Sequence, residues 1–65
     1  MVYINDKAYD FIEGESLYDF LKRSSFDPDF LACEVDAKLV KRKDFKNFTL
    51  EDGARVEAFS IVGGG

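Results

Sequence analysis

The chain has 65 residues, a formal charge of −4 from thirteen acidic and nine basic residues, and no His. That length makes one small domain, which buries about 60% of its unfolded surface and has little room to enclose a substrate pocket of about 300 Å³ as well. The acidic balance opposes nucleic-acid binding, no 18-residue apolar run is present to span a membrane, and a single Cys excludes an internal disulfide.

Val2 and Ile4 alternate with Tyr3 and Asn5, the pattern of a short half-buried strand. Asn5-Asp6-Lys7 supplies a tight turn. Tyr9 and Phe11 continue as a second strand, which Gly14 breaks. Ser16 has the character of a helix N-cap, with Asp19 three residues on. Leu17, Phe20 and Leu21 then fall on one helical face, and Lys22 and Arg23 suit the helix C-terminal end. Ser24-Ser25 and Pro28 stop the helix, and Asp27-Pro28-Asp29 forms a turn with Phe26 and Phe30 expected to plug the core.

Leu31, Cys33 and Val35 mark a third strand, joined through Asp36-Ala37-Lys38 to a very short fourth at Leu39-Val40. Lys41 to Asn47 is polar apart from Phe45 and reads as an irregular or single-turn connection. Leu50 and the turn Glu51-Asp52-Gly53 precede a last strand from Arg55 to about Val62. One apolar helix face and alternating strands predict a helix packed across one side of a mixed sheet. The order ββαββ, connection, β is that of an α+β, ubiquitin-like β-grasp domain with about five strands spanning residues 1–65. In that arrangement the last strand runs parallel beside the first.

Gly63-Gly64-Gly65 follows the last strand. Glycine lacks a Cβ and adopts many backbone conformations, so a flexible tail over 63–65 suits threading a narrow channel and presenting a carboxylate. A frayed end is the plain alternative for three glycines taken by themselves.

Over all 65 residues the sequence resembles the ThiS family, the sulfur carriers of thiamine biosynthesis. The resemblance rests on Met1-Val2-Tyr3-Ile4-Asn5-Asp6, Gly14-Glu15-Ser16-Leu17 with Phe20-Leu21, and Ala32-Cys33-Glu34-Val35-Asp36 with Leu39-Val40 and Arg42. It rests most specifically on Asp52-Gly53, Val56-Glu57 and the ending Val62-Gly63-Gly64-Gly65. Asp36-Ala37 stands where an Asn-Gly pair is usual, Asp52-Gly53-Ala54 where Gly-Asp is usual, and Lys41 where Pro is common.

The resemblance implies a protein cosubstrate and not an enzyme. An E1-like (ThiF-like) partner, using ATP and magnesium, would adenylate the Gly65 carboxylate with Gly63 and Gly64 threaded into its active site. A cysteine desulfurase or rhodanese-type donor would supply sulfur, and a ThiG-like thiazole synthase would consume the resulting thiocarboxylate. The carrier itself is expected to bind no cofactor or metal, to be a monomer when free, and to reside in the cytoplasm, which a single Cys also suits.

Phe59 and Ile61 share the face of the last strand opposite to Val56 and Ala58, so they are expected as an exposed apolar patch for docking a partner. Arg42 joins them as the residue matching the family's arginine. The basic stretch Lys38, Lys41, Arg42, Lys43 and Lys46 reads chiefly as a solvated surface. Cys33 falls in phase with the core and reads as an inert buried thiol, and Asp27 and Asp29 as turn residues and not metal ligands. The other readings are a carrier for molybdopterin, cysteine, homocysteine or tRNA thiolation, a TGS-like non-covalent binding module, or a modifier joined to lysines through Gly65.

Overall fold

Two hairpins frame the chain, and each is closed by a pair of residues at positive φ. The computed structural model describes residues 1–60. Its first hairpin joins β1 (Val2–Ile4) to β2 (Lys7–Tyr9) through Asn5 and Asp6, with φ of 47° and 70°. The second joins β3 (Leu31–Val35) to β4 (Lys38–Val40) through Asp36 and Ala37, with φ of 51° and 69°. A two-residue loop with both residues at positive φ matches the right-handed twist of the strands it connects. It also fixes register, so Val35 faces Lys38, Glu34 faces Leu39, and Cys33 faces Val40.

β5 (Arg55–Ser60) inserts between the hairpins and gives the strand order β2-β1-β5-β3-β4. It runs antiparallel to β3, from Val35↔Val56 to Leu31↔Ser60, and parallel to β1 through Tyr3↔Arg55 and Ile4↔Val56. The parallel pair is only two residues long, and it is reinforced in an unusual way. The backbone of Tyr3 donates to Ala54 and that of Asn5 to Val56. The Asn5 side chain then takes over where the chain turns away. Its Nδ2 donates to the Ala58 carbonyl at 3.0 Å, and its Oδ1 accepts from the Ala58 N–H at 3.0 Å. One side-chain amide thus stands in for the next backbone unit of β1.

α1 (Leu17–Arg23) covers one face of this sheet. Leu17, Phe20 and Leu21 are buried against Val2, Ile4, Cys33, Val56 and Phe45. The first-turn N–H groups of a helix lack intrahelical partners, and here each finds one. Ser16 Oγ accepts from Asp19 N at 3.1 Å, the Phe48 carbonyl from Leu17 N at 2.8 Å, and the Phe45 carbonyl from Tyr18 N at 3.0 Å. The irregular 45–50 segment is therefore tied to the start of α1. Arg23 clamps the other side: it forms a bidentate pair with Glu15 at 2.9 Å and donates to the Asp10 carbonyl, while lying over the rings of Tyr9 and Phe20.

Two expectations need correction. β2 ends at Tyr9, so Phe11 lies beyond the strand, half-buried against the core, and Gly14 (φ 78°) sits in the loop before α1. Phe26 does pack on the core, but Phe30 is 69% exposed. Pro28 is the buried member of the 3₁₀ turn Pro28–Phe30, and because Leu31 begins β3 facing inward, the residue before it is turned outward. Residues 61–62, expected in the last strand, lie outside the described residues.

These turns and the Asn5 side chain predict stability changes of opposite sign. Ala37→Gly removes a Cβ from a left-handed backbone position and is expected to stabilise the fold by about 1 kcal/mol. Asn5→Gly keeps the turn conformation but deletes both bonds to Ala58, and is expected to cost about 1–2 kcal/mol. Urea denaturation of the two variants beside the parent chain checks both.

Candidate functional site

Alternation along β5 and β3 gives the sheet a second face that α1 does not cover. Val56 turns inward and Ala58 is half-buried, whereas Arg55, Glu57 and Phe59 turn outward. The same register places Tyr3, Ala32, Glu34 and Leu39 on this open face, because Tyr3 pairs with Arg55, Ala32 with Phe59, and Glu34 with both Glu57 and Leu39. Arg55 lies 4.7 Å from the centre of the Tyr3 ring, which secures that end of the face.

The opposite end is apolar. Phe59 is 47% exposed and lies opposite half-buried Ala32, while Leu39, 65% exposed, lies one row back, opposite Glu34. Large apolar side chains gathered on one surface mark an interaction site more often than scattered ones do. Leu31, Ala32, Leu39, Val40, Lys41 and Arg42 surround a shallow depression of about 260 Å³ at the same end.

Arg42 begins the 3₁₀ turn Arg42–Asp44, directly after β4. Its guanidinium comes within 3.4 Å of the Leu31 carbonyl, and Leu31 is the residue paired with Ser60 at the end of β5. Arg42 and Phe59 thus flank the start of β3, on the two sides of the point that β5 reaches at residue 60. Ile61, Gly63, Gly64 and Gly65 lie outside the described residues. Gly65 is the fifth residue after Ser60, and five residues fully extended span at most about 18 Å.

Leu39 is the surface residue that alternation within β4 left unassigned. Lys38-Leu39-Val40 is too short to reveal which apolar residue faces the core. The signal was in the turn: a two-residue Asp36-Ala37 loop sets Val40 opposite buried Cys33, and Leu39 must then face outward. The remaining candidates are structural. Asp27 Oδ1 accepts from Asp29 N at 3.0 Å, capping the turn that both residues belong to. Cys33 has no exposed surface, and burial pushes its thiol up to about 11.

The fold is that of a β-grasp protein with one covered and one open sheet face. The comparisons with known proteins narrow this class. The ThiS family model matches residues 2–65, and the chain belongs to the ThiS family. A thiamine biosynthesis protein (ThiS) from Geobacter metallireducens has a crystal structure similar to this one, with a TM-score of 0.78 at 24% identity, covering 98% of this chain and 97% of that one. A solution structure of a thiamine biosynthesis protein from the same organism aligns with a TM-score of 0.73 at 24% identity, over 98% of this chain and 86% of that one. At that identity the likeness speaks for the fold. No curated protein matches the sequence.

The raised Cys33 value gives a prediction with a definite sign. An acid that holds its proton more tightly when folded contributes fully below its unfolded value, here 9.0, and loses that contribution as pH rises through about 11. The stability difference between the parent chain and Cys33→Ala is therefore expected to narrow between those limits. Alkylation of folded Cys33 near pH 8 is expected to run about 100-fold or more slower than in the urea-unfolded chain. Thermal melts across pH and mass-resolved alkylation check the two statements.

Proposed function

We propose that this protein is a sulfur carrier whose working group is the Gly65 carboxylate and whose open sheet face docks the enzymes that act on it. The observation that carries the reading is the family match extending through residue 65. The exposed Phe59, next to Ser60 on β5, supports it, because it offers a partner an apolar grip within reach of Gly65.

The chemistry explains why such a protein needs partners. A carboxylate is a poor electrophile, since its charge is shared by two oxygens. An E1-like, ThiF-like enzyme with ATP and magnesium joins a Gly65 oxygen to the α-phosphorus and releases pyrophosphate. The acyl-adenylate then holds a good leaving group. A persulfide sulfur from a cysteine desulfurase or rhodanese-type donor attacks the carbonyl carbon and expels AMP. A thiol cleaves the S–S bond and leaves a thiocarboxylate on Gly65. A ThiG-like synthase is the consumer in this reading, with the thiazole of thiamine as the destination.

In this scheme Gly63 and Gly64 enter the enzyme's channel, Phe59 and Ile61 provide apolar docking, and Arg42 adds a charge at the rim. The carrier contributes no general acid, base or metal; its part is to hold a carboxylate on a stem that an active site can take in.

ATP–pyrophosphate exchange catalysed by the E1-like partner tests the proposal. Removing Gly64 and Gly65 is expected to abolish exchange while urea denaturation stays unchanged. Phe59→Asp is expected to raise the carrier's KM by about tenfold or more with kcat largely kept, as for the loss of a docking contact. Undiminished exchange by the truncated chain would overturn the assignment of Gly65.

A further inference from the structure

The basic residues of this acidic protein are gathered on one border of the sheet. Residues 38–46 hold five basic side chains and one acidic one, Asp44, whereas the rest of the chain holds four basic and twelve acidic. All five (Lys38, Lys41, Arg42, Lys43 and Lys46) are exposed, and among the described residues none of them forms an ion pair. Ion pairs do form elsewhere, between Arg23 and Glu15 and between the Met1 amino group and Asp52.

This basic run begins on β4, the outermost strand of the sheet on that side. In an antiparallel ladder the residues alternate between bonding to the partner strand and facing away from it. The two-residue hairpin pairs Lys38 with Val35 and Val40 with Cys33, so the N–H and C=O of Leu39 between them point outward. Beside this edge runs an open groove of about 430 Å³. Leu39, Val40, Lys41, Lys43, Asp44, Asn47 and Phe48 line it, so two cations and one carboxylate border it. The outward backbone groups of Leu39, the apolar side chains of Leu39, Val40 and Phe48, and the cations Lys41 and Lys43 therefore border one groove.

We propose that the free edge of β4 is a docking site for an extended acidic segment of a partner protein, taken up as a sixth strand of the sheet. Strand addition supplies main-chain bonds at Leu39, and alternate side chains of the incoming segment reach the groove and the lysines. The charges select the occupant. Lys38 on the edge and Lys41 and Lys43 beside it repel a second copy of the same edge, the usual effect of lysine on an edge strand, and the same cations attract a carboxylate-bearing strand. The twelve acidic side chains elsewhere on the chain oppose an extended polyanion such as RNA, which would pass over more of the surface than this border. Because the run continues from β4 to Arg42 beside Leu31, a strand seated here would hold its owner next to the end of β5.

The site goes beyond the carrier chemistry and does not depend on it, since its readout is binding and not turnover at Gly65. The test is an amide NMR titration of the full 65-residue chain with a capped synthetic peptide of alternating Glu and Val. Two further peptides serve as probes, one with Gln for Glu and one N-methylated at every second residue to block a strand edge. Saturable shifts centred on Leu39 and Lys41 are expected, with slowed exchange of the Leu39 N–H. Affinity is expected to fall about tenfold or more for the Gln peptide, for the methylated peptide, and for a Lys41→Glu/Lys43→Glu chain whose exposed substitutions leave the core untouched. Three outcomes would overturn the proposal: no saturable binding, equal binding of the methylated peptide, or tighter binding of a single-stranded RNA at the same amides.

Discussion

Everything in this fold hangs on a parallel pairing two residues long. β1 and β5 share only Tyr3↔Arg55 and Ile4↔Val56, yet this contact joins the two hairpins into one sheet. A parallel ladder so short is weak, and β1 cannot lengthen it because the chain must turn at Asn5. The Asn5 amide resolves the conflict, meeting the N–H and C=O of Ala58 together while its own backbone makes the turn at φ 47°. Asparagine suits both tasks: it tolerates the left-handed region, and its side chain carries a donor and an acceptor in peptide geometry. β5 is held in this way to within two residues of Ser60.

Once β5 is fixed, the two faces of the sheet acquire different work. The covered face takes α1, whose first-turn N–H groups are met by Ser16 and by the carbonyls of Phe45 and Phe48, so that the irregular segment is part of the helix's cap. The open face carries Phe59 opposite Ala32 near the end of β5, and Leu39 one row back opposite Glu34. A domain this small cannot build an enclosed pocket and a core from the same side chains. It can present a surface, and the surfaces it presents are apolar on one face and basic on one border.

Much of this was legible because the local signals agreed with one another. Ser16 as a cap, Leu17, Phe20 and Leu21 as the buried stripe, and Leu31, Cys33 and Val35 as an inward row all appear in the structure as their spacing implies. The parallel partner of β1 follows from the β-grasp arrangement that the element order matches and not from periodicity, since pairing of distant strands leaves no local trace. Phe30 is apolar, but it stands one residue before an inward-facing Leu31, and that placement turns it outward. Phe11 was carried past the end of β2 by the same alternation that identified the strand. Gly63, Gly64, Gly65 and Ile61 are candidates drawn from the sequence, and they lie outside the described residues.

In the proposed function the chemistry occurs on Gly65, and intact mass spectrometry of the protein recovered from its native host tests it. A fraction heavier by the difference between sulfur and oxygen is expected, with fragmentation assigning that increment to Gly65. A protein that carries only the carboxylate, and keeps it after incubation with ATP, the E1-like enzyme and a persulfide donor, would contradict it.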